Sequence, residues 1–363
     1  MAKPTDFAIE RTASAVSAQR RADILGDPGF GRYFTDHMCV MEWTPEKGWY
    51  AARIKPYGPF SVDPASSVLH YAQEIFEGLK AYRHADGSVW TFRPEVNAAR
   101  FQQSAARMAL PHLPEDLFLQ AIEALVRTDS DWVPEGGGER SLYLRPFMFA
   151  SEVFLGVRPS KHVTFAVIAS PAGPYFPGGL EPVSIWLSEE FTRAAPGGTG
   201  AAKCGGNYAA SLIAQAEAID NGCDQVVFLD AANKHDIEEL GGMNIFFVHG
   251  DGTIVTPRLN GSILEGVTRA SVLALAEELG YRAEERSVSI EQWREGVVSG
   301  DIEEVFACGT AAVVTPVGLL KWRGGQLSCG DESGKVTTTI RERLLDVQYG
   351  RVDDAHGWLH RLV

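Results

Sequence analysis

Residues 197–208 read GGTGAAKCGGNY, a stretch that places one lysine, Lys203, among glycines and alanines. Between Arg193 and Glu217 no other residue is charged, so Lys203 has no local carboxylate partner. A surface lysine in a flexible loop is one interpretation. A lysine that forms an imine is the other interpretation. Small neighbours let a flat cofactor approach the backbone, and apolar surroundings favour the neutral lysine amine, which is the form that attacks an aldehyde. A Walker phosphate loop does not fit, since Ala-Lys-Cys replaces Gly-Lys-Ser/Thr.

The composition narrows the class of protein. The chain has 363 residues, 45% hydrophobic and 22% charged, which is typical of a globular protein of about two domains. Its net charge of -14 argues against nucleic acid or an anionic membrane as a partner. Five scattered cysteines without CxxC spacing indicate neither disulfides nor a zinc site. With no signal-like or membrane-length apolar run, we expect a cytoplasmic protein.

Periodicity and turn residues predict a mixed α/β chain. Hairpins are predicted over 36–54 and 78–92, and amphipathic helices over 93–110 and 114–128. The segment SPAGPYFPGGLEP at 170–182 contains four prolines and three glycines, which neither helix nor strand tolerates. The predicted organisation is therefore a smaller N-terminal α/β domain (1–172), an interdomain loop (173–184) and a larger C-terminal α/β domain with Lys203 (185–363).

Glu239 is the first candidate partner for a cofactor. It lies in HDIEELGGMNIFF, where His235 and the acids suggest a metal site, but alternation along a strand distributes them over both faces. We therefore predict no metal and favour a solvated edge. If Glu238 or Glu239 points inward, it needs a buried cation, and a protonated pyridine nitrogen is one.

Three further sites favour anions, and each has a structural alternative. Val267 and Thr268 follow Gly266 at the start of a predicted helix, whose free amides suit a phosphate, although every helix has such a start. Thr310 interrupts a predicted strand, as an ordinary bulge also does. Tyr143 and Arg145 share one strand face and suit a carboxylate, or a structural salt bridge.

Taken together, nine segments resemble the branched-chain amino-acid aminotransferases of the pyridoxal-phosphate fold-type IV class. They are FTDHM (34–38), HYAQEIFEGLKAY (70–82), FRPEVNAARF (92–101), SLYLRP (141–146), YFPGG (175–179), AAKCGGNYAAS (201–211), ELGGMNIFF (239–247), GSILEGVTR (261–269) and CGTAAVVTPVG (308–318). The resemblance implies an α/β (α+β) fold with the two-domain, D-amino-acid aminotransferase-like architecture, and a homodimer.

The resemblance also implies roles for cofactor residues. Lys203 would hold pyridoxal 5'-phosphate as an imine and move a proton during transamination. Glu239 would lie beside the pyridine nitrogen, and Tyr208 would bind the ring oxygen. The phosphate would be held by Arg100, Val267, Thr268 and Thr310.

The implied reaction converts L-leucine, L-isoleucine and L-valine with 2-oxoglutarate into branched-chain 2-oxo acids and L-glutamate. The implied substrate contacts are Phe30, Tyr71, Phe76, Tyr143, Arg145, Tyr175 and the Ala311 backbone. Other fold-type IV enzymes share the lysine, glutamate and phosphate features, so a D-amino-acid or (R)-amine aminotransferase and the lyase that makes aminobenzoate are alternatives. A non-catalytic vitamin-B6 carrier is another, although such a protein would be expected to lose Lys203, Glu239 or Arg145.

Overall fold

The computed structural model describes residues 7–176, 180–330 and 332–363, which divide into two compact units. The first unit comprises the described part of Met1–Tyr175 with Ala202–Gly205 and Val347–Val363, and the second comprises that of Phe176–Ala201 and Gly206–Asp346. The division at Tyr175 falls inside the predicted interdomain loop. The segment with Lys203 and the C-terminal end pack with the first unit, whereas the sequence predicted both in the C-terminal domain. Residues 177–179 of the predicted loop lie outside the described residues.

The first unit is built on a nine-stranded sheet. Its helices are α1 (Ala18–Gly26), α2 (Ser67–Tyr71), α3 (Pro94–Arg107) and α4 (Glu115–Thr128), with a 3-10 turn at Ser130–Trp132. Its strands are β1 (Ala8–Ile9), β2 (His37–Thr44), β3 (Gly48–Pro56), β4 (Glu74–Phe76), β5 (Leu79–Arg83), β6 (Val89–Phe92), β7 (Ser141–Ala150), β8 (Val163–Ala172) and, at the chain end, β18 (Leu359–Arg361). The order is β1-β3-β2-β8-β7-β5-β6-β18, with β4 also paired to β7.

The second unit contains another nine-stranded sheet. Its helices are α5 (Gly205–Asp220, whose first residue belongs to the first unit), α6 (Val267–Glu278), α7 (Ile290–Ser299) and α8 (Lys335–Gln348, whose last two residues belong to the first unit). Its strands are β9 (Val183–Ser188), β10 (Gln225–Leu229), β11 (Ile237–Leu240), β12 (Asn244–His249), β13 (Thr253–Thr256), β14 (Arg282–Glu285), β15 (Ile302–Gly309), β16 (Val313–Trp322) and β17 (Gly325–Ser328). The order is β11-β10-β9-β16-β15-β12-β13-β14, with β17 on β16.

The local sequence patterns account for most of these elements. The hairpins β2–β3 and β5–β6 are antiparallel as predicted, and α3 begins at Pro94, whose fixed φ suits a first helical turn. Gly280 follows the α6 cap with φ +86°, a conformation that glycine adopts at little cost.

The predicted loop of 173–184 was wrong at its end, because Val183 and Ser184 begin β9. The interpretation that no strand tolerates 170–182 was also wrong at Pro171, which continues β8 opposite Leu142. It has no N–H to donate, yet its carbonyl and Cα still fit the ladder.

The alternation of β7 separates the core of the first unit from the face that carries the candidate site. Leu142, Leu144 and Met148 are fully buried in the core with α3 and α4, whereas Tyr143 and Arg145 are half-buried on the opposite face. Because successive side chains of a strand alternate between faces, β7 presents its polar and aromatic groups together. In the described part of the chain, no helix is long and apolar enough to cross a membrane.

Candidate functional site

The backbone around Lys203 is fixed within the first unit. Its amide donates to Ser104 Oγ (2.9 Å), and its carbonyl accepts from the Phe76 amide (3.0 Å). The flanking Ala202 and Cys204 are each 1% exposed and belong to the core of this unit. The flexible-loop interpretation is therefore wrong for the backbone, and only the lysine side chain projects from a packed segment.

The ring of Phe76 contacts two cationic groups. Lys203 Nζ lies 4.8 Å from the ring centroid, and the guanidinium carbon of Arg145 also lies 4.8 Å from it. Cations are attracted to aromatic faces at this range. The structure thus brings together three residues that the sequence predicted separately, with an amine and a guanidinium at one aromatic side chain.

Arg145 has the features of a carboxylate-binding residue. Its Nη2 donates to the Tyr143 hydroxyl (3.2 Å), and its buried Nε has no hydrogen-bond partner among the described residues. A structural salt bridge, the alternative interpretation, is not formed by Arg145 within that part of the chain. Gly78 leaves room for the Tyr143 hydroxyl, because a Cβ at position 78 would overlap it. A buried donor without a partner is costly, so a ligand oxygen would satisfy Arg145.

Three of the predicted substrate residues form an aromatic cluster. The Phe30 ring lies 5.1 Å from the rings of both Tyr143 and Tyr175 in edge-to-face geometry. Tyr71 has a different setting, since it is 38% exposed and its hydroxyl donates to the carbonyl of Leu155. The first unit therefore groups Phe30, Tyr143 and Tyr175, whereas Tyr71 lies on an exposed surface.

Arg100 forms a buried ion pair with Glu77, a residue that the sequence reasoning missed. Arg100 Nε and Nη2 donate to the two oxygens of Glu77 at 2.7 and 2.9 Å, and Asn97 donates to the same carboxylate at 2.7 Å. Burial raises the pKa of Glu77, but the positive charges of Arg100 and Lys203 and the Asn97 hydrogen bond outweigh it, so its pKa is lowered. Glu77 is 0% exposed and holds the guanidinium of Arg100 in one orientation.

In the second unit, Glu239 is buried beside a cation. Its Oε1 lies 2.9 Å from Arg193 Nη1 and accepts from the Leu264 amide (2.8 Å). Glu238 is buried as well and binds Ser262 and Asn260, so the solvated edge was a wrong prediction. Both acids are accommodated because each face of β11 is covered and supplies hydrogen-bond donors.

The segment after Leu264 leads to the α6 N-terminus. The Leu264 carbonyl accepts from Asn244 Nδ2 (3.1 Å), and a Cβ on the N-cap Gly266 would overlap Asn244 Oδ1. No side chain caps α6, and the Thr268 hydroxyl makes no hydrogen bond within the described residues. This first turn therefore offers amides and a hydroxyl to an anion.

Thr310 is connected to the same region through the sheet. It follows Gly309 in the turn between β15 and β16, and Asn244 pairs with Cys308 on β15. Ala311 lies in the same turn, whose next carbonyl, that of Ala312, accepts from Arg341 Nη1 (3.3 Å). Asn244 thus connects the two predicted anion sites, since its side chain binds the segment before α6 and its backbone pairs with β15, which leads to Thr310.

Tyr208 lies on the first turns of α5, where Gly242 adjoins its ring. A Cβ at position 242 would be 3.8 Å from Tyr208 Cε1. The neighbouring Asn207 exchanges two hydrogen bonds with Thr199, at 2.7 and 2.9 Å. These contacts fix the start of α5. Within the described residues, no group of three His, Cys, Asp or Glu side chains is placed to hold a metal ion.

The sequence reasoning missed the residues that support the predicted ones. Ser104, Glu77 and Arg193 act through contacts distant in sequence, which no local pattern reveals. Only Arg193 could have been found from the sequence, because it is the last charged residue before Lys203. If Glu239 is expected to be buried, it needs a cationic partner, and the isolated Arg193 was a candidate for that partner.

Comparison with known proteins identifies the family. Residues 74–320 match the family model of the class IV amino-transferases. The chain is 60% identical over 363 residues, covering all of both chains, to the probable branched-chain-amino-acid aminotransferase of Streptomyces coelicolor. It is 53% identical to the branched-chain-amino-acid aminotransferase of Mycolicibacterium smegmatis, over 99% of both chains.

Solved structures agree with this fold. The branched-chain amino acid aminotransferase of Escherichia coli superposes with a TM-score of 0.74 at 30% identity, covering 89% of this chain and 99% of that one. The T.th. branched-chain amino acid aminotransferase complexed with N-(5'-phosphopyridoxyl)-L-glutamate gives 0.72 at 31% identity, covering 89% and 98%. The two-domain fold-type IV architecture predicted from the motifs is confirmed.

The fold and these matches define an enzyme of the transferase class. The chain belongs to the class IV aminotransferases. The resemblance to the branched-chain amino-acid aminotransferases stated from the nine segments is confirmed by these relatives.

Proposed function

We propose that the enzyme transfers the amino group of L-leucine, L-isoleucine and L-valine to 2-oxoglutarate, reversibly, giving branched-chain 2-oxo acids and L-glutamate. The observation that carries the proposal is the placement of Lys203 and Arg145 at the ring of Phe76, with Arg145 Nε lacking a partner in the described residues. The names of relatives 60% and 53% identical support the substrate class.

The donor set fits pyridoxal 5'-phosphate as the cofactor. A lysine on a fixed backbone supplies the attachment point, and the uncapped first turn of α6 supplies amides for a phosphate. A solved neighbour contains a phosphopyridoxyl group. We propose that Val267, Thr268 and Thr310 hold the phosphate. In this structure the guanidinium of Arg100 binds Glu77. Its role as a phosphate ligand therefore stays a prediction.

The bound cofactor supplies an electron sink that stabilises negative charge at the substrate α-carbon. Lys203 would hold the cofactor covalently, and its amine, when free, is the base that would accept the proton from the substrate α-carbon. Glu239 would hold the ring nitrogen in its protonated form, and Arg193 balances the buried charge of that carboxylate. Tyr208 would donate a hydrogen bond to the ring oxygen.

The same subsite would accept two kinds of side chain. The rings of Phe30, Phe76, Tyr143 and Tyr175 offer an apolar surface for a branched aliphatic group, while Arg145 binds the distal carboxylate of glutamate. Because one methylene changes binding by only about 1–3 kcal/mol, leucine, isoleucine and valine should all react. We also propose contacts from Tyr71 and the Ala311 backbone.

An absorption measurement tests cofactor and reaction together. The purified protein should show the visible band of the bound cofactor, which L-leucine bleaches and 2-oxoglutarate restores. Turnover of D-alanine faster than L-leucine, shown on a chiral column, would replace the proposal with a D-amino-acid aminotransferase. Release of pyruvate and aminobenzoate from aminodeoxychorismate would replace it with a lyase.

Variants test the assigned roles. Lys203→Ala should abolish turnover while leaving the melting curve of the cofactor-free protein unchanged. Lys161→Ala, which removes a lysine elsewhere in the first unit, should behave as wild type. Arg145→Ala should impair glutamate and 2-oxoglutarate more than leucine, with Arg127→Ala as the control. Equal losses for both substrate types would show that Arg145 is structural.

We further propose a homodimer. Six large apolar side chains are exposed on two adjoining segments: Leu69, Tyr71, Val153, Phe154, Leu155 and Val157. The segments are joined by backbone hydrogen bonds from Ser67 to Glu152 and from Phe154 to Ala65. An exposed apolar patch of this kind favours a protein interface. Sedimentation should give twice the chain mass, and Val153→Asp should shift the enzyme toward monomer.

A further inference from the structure

A carboxylate, that of Glu74, shares the face of the sheet that carries Arg145. On β4 the alternation buries Ile75 completely and leaves Glu74 and Phe76 half-buried on the other face. Phe76 pairs with Phe147 on β7, two residues from Arg145, and the Arg145 guanidinium lies against the Phe76 ring. Glu74 is the next residue along this face of β4.

The position of this carboxylate is set by the segment that carries Lys203. Glu74 Oε1 accepts a hydrogen bond from the amide of Gly205, two residues after Lys203. A Cβ at position 205 would come within 2.5 Å of that oxygen. Gly205 therefore permits the close approach, and the hydrogen bond keeps Glu74 from turning away to solvent.

The charges of Glu74 and Arg145 interact. Burial raises the pKa of Glu74, while the Gly205 amide and the positive charge of Arg145 oppose that rise. The two side chains form no direct hydrogen bond, because Arg145 Nε has no partner among the described residues and its Nη2 donates to Tyr143. Arg145 is thus left available to a ligand, within the field of a negative charge.

We propose that Glu74 is a specificity-determining residue, whose negative charge weakens binding of a distal carboxylate at Arg145 and thereby balances dicarboxylic substrates against branched aliphatic ones. The inference rests on the proposed function, since it assumes that both substrate types use this subsite. An aliphatic side chain carries no charge for Glu74 to repel, so the effect is confined to acidic ligands.

Binding of two substrate-like acids tests this directly. Glu74→Gln removes the charge and retains an oxygen to accept from Gly205. Glutarate and 4-methylpentanoate are titrated by calorimetry into the holoenzyme, because neither has an amino or keto group and neither can react. We expect the ratio of their dissociation constants to move roughly three- to tenfold in favour of glutarate, the range for one charge near a protein surface.

Control variants separate charge from structure. Glu74→Asp keeps the charge, so its ratio of the two dissociation constants should stay near the wild-type value. Glu74→Ala should change this ratio as much as Glu74→Gln does. Glu42→Gln removes a carboxylate from β2 of the same sheet, where it binds Thr164 (2.9 Å) and His162 (3.2 Å), and should leave the ratio unchanged.

Two outcomes overturn the inference. An unchanged ratio of dissociation constants in both Glu74→Gln and Glu74→Ala would show that the charge of Glu74 has no influence on the subsite. The same change of ratio in Glu42→Gln would show that the effect is not specific to Glu74. Failure of the proposed function has a different signature, because the wild-type enzyme would then not turn over L-leucine, whichever acid it binds.

Discussion

Replacing Arg193 by methionine should strongly destabilise the second unit. The side chains of Arg193 and Glu239 are each 3% exposed, and their closest atoms are 2.9 Å apart. Arg193 also donates to the carbonyls of Ser262 (2.9 Å) and Gly200 (3.4 Å). Removing one partner of a buried ion pair costs about 3–5 kcal/mol. The lost carbonyl bonds add about 1 kcal/mol.

The reasoning is tested by a double-mutant cycle. Glu239→Gln keeps an acceptor for the Leu264 amide but leaves the Arg193 cation uncompensated, so it too should cost about 3–5 kcal/mol. With both changes neither member of the pair is charged, and the double variant should be more stable than either single one. The coupling energy, the sum of the two single losses minus the loss in the double variant, should therefore exceed about 4 kcal/mol.

Thermal unfolding of the cofactor-free protein provides the assay, because it removes stabilisation by the ligand. About 2–4 °C is expected per kcal/mol for a unit of this size, so Arg193→Met should lower Tm by roughly 10–20 °C. The double variant should recover at least half of that loss. If the two single losses simply add, Arg193 and Glu239 are not an energetically coupled pair, and the charge-balance argument fails.

Three smaller changes test other contacts. Gly78→Ala should displace the Tyr143 hydroxyl and raise the KM for glutamate more than that for leucine; equal effects in steady-state kinetics would contradict this. Ser104→Ala removes the acceptor for the Lys203 amide and should lower Tm by a few degrees and kcat severalfold, with normal kcat as the refuting result. Burial raises the pKa of Asp230, but four backbone amides outweigh it and lower the pKa to about 2. Asp230→Ala should therefore cost about 1–2 kcal/mol at pH 7, allowing for partial exposure, and the difference should vanish between pH 4 and 2; a pH-independent gap in urea melts would disprove the linkage.

Local patterns were sufficient for the predicted hairpins and helices of the first unit because such patterns act over a few residues. Alternation and the Asp86-Gly87 turn predicted β5 and β6, and Pro94 with a 3.6-residue apolar rhythm predicted α3. The solvated edge at Glu238 failed for a physical reason. Whether a strand face is covered depends on segments far away in sequence, here the one containing Asn260 and Ser262. The cytoplasmic location stays a prediction.

Buried ion pairs mark the limit of sequence reasoning about the site. Glu77 and Arg100 are 23 residues apart on a strand end and a helix, and they meet only when α3 packs on the sheet. Arg193 and Glu239 are likewise brought together by folding of the second unit. Resemblance to a family predicts residues that would face a ligand, whereas the residues that compensate their charge must be found in the structure.

The glycines and alanines around Lys203 have a structural explanation that precedes any chemistry. Ala202 and Cys204 are small because both side chains are buried in the first unit, and Gly205 is small because the Glu74 carboxylate occupies the position of its missing Cβ. With Ala202 and Cys204 buried and its own amide and carbonyl hydrogen-bonded, the backbone of Lys203 is held by packing on both sides. The role proposed for Lys203 would need a fixed backbone, because its amine would have to leave and return to one position during each turnover. The composition that suggested a flexible loop therefore belongs to a segment whose residues next to Lys203 are buried.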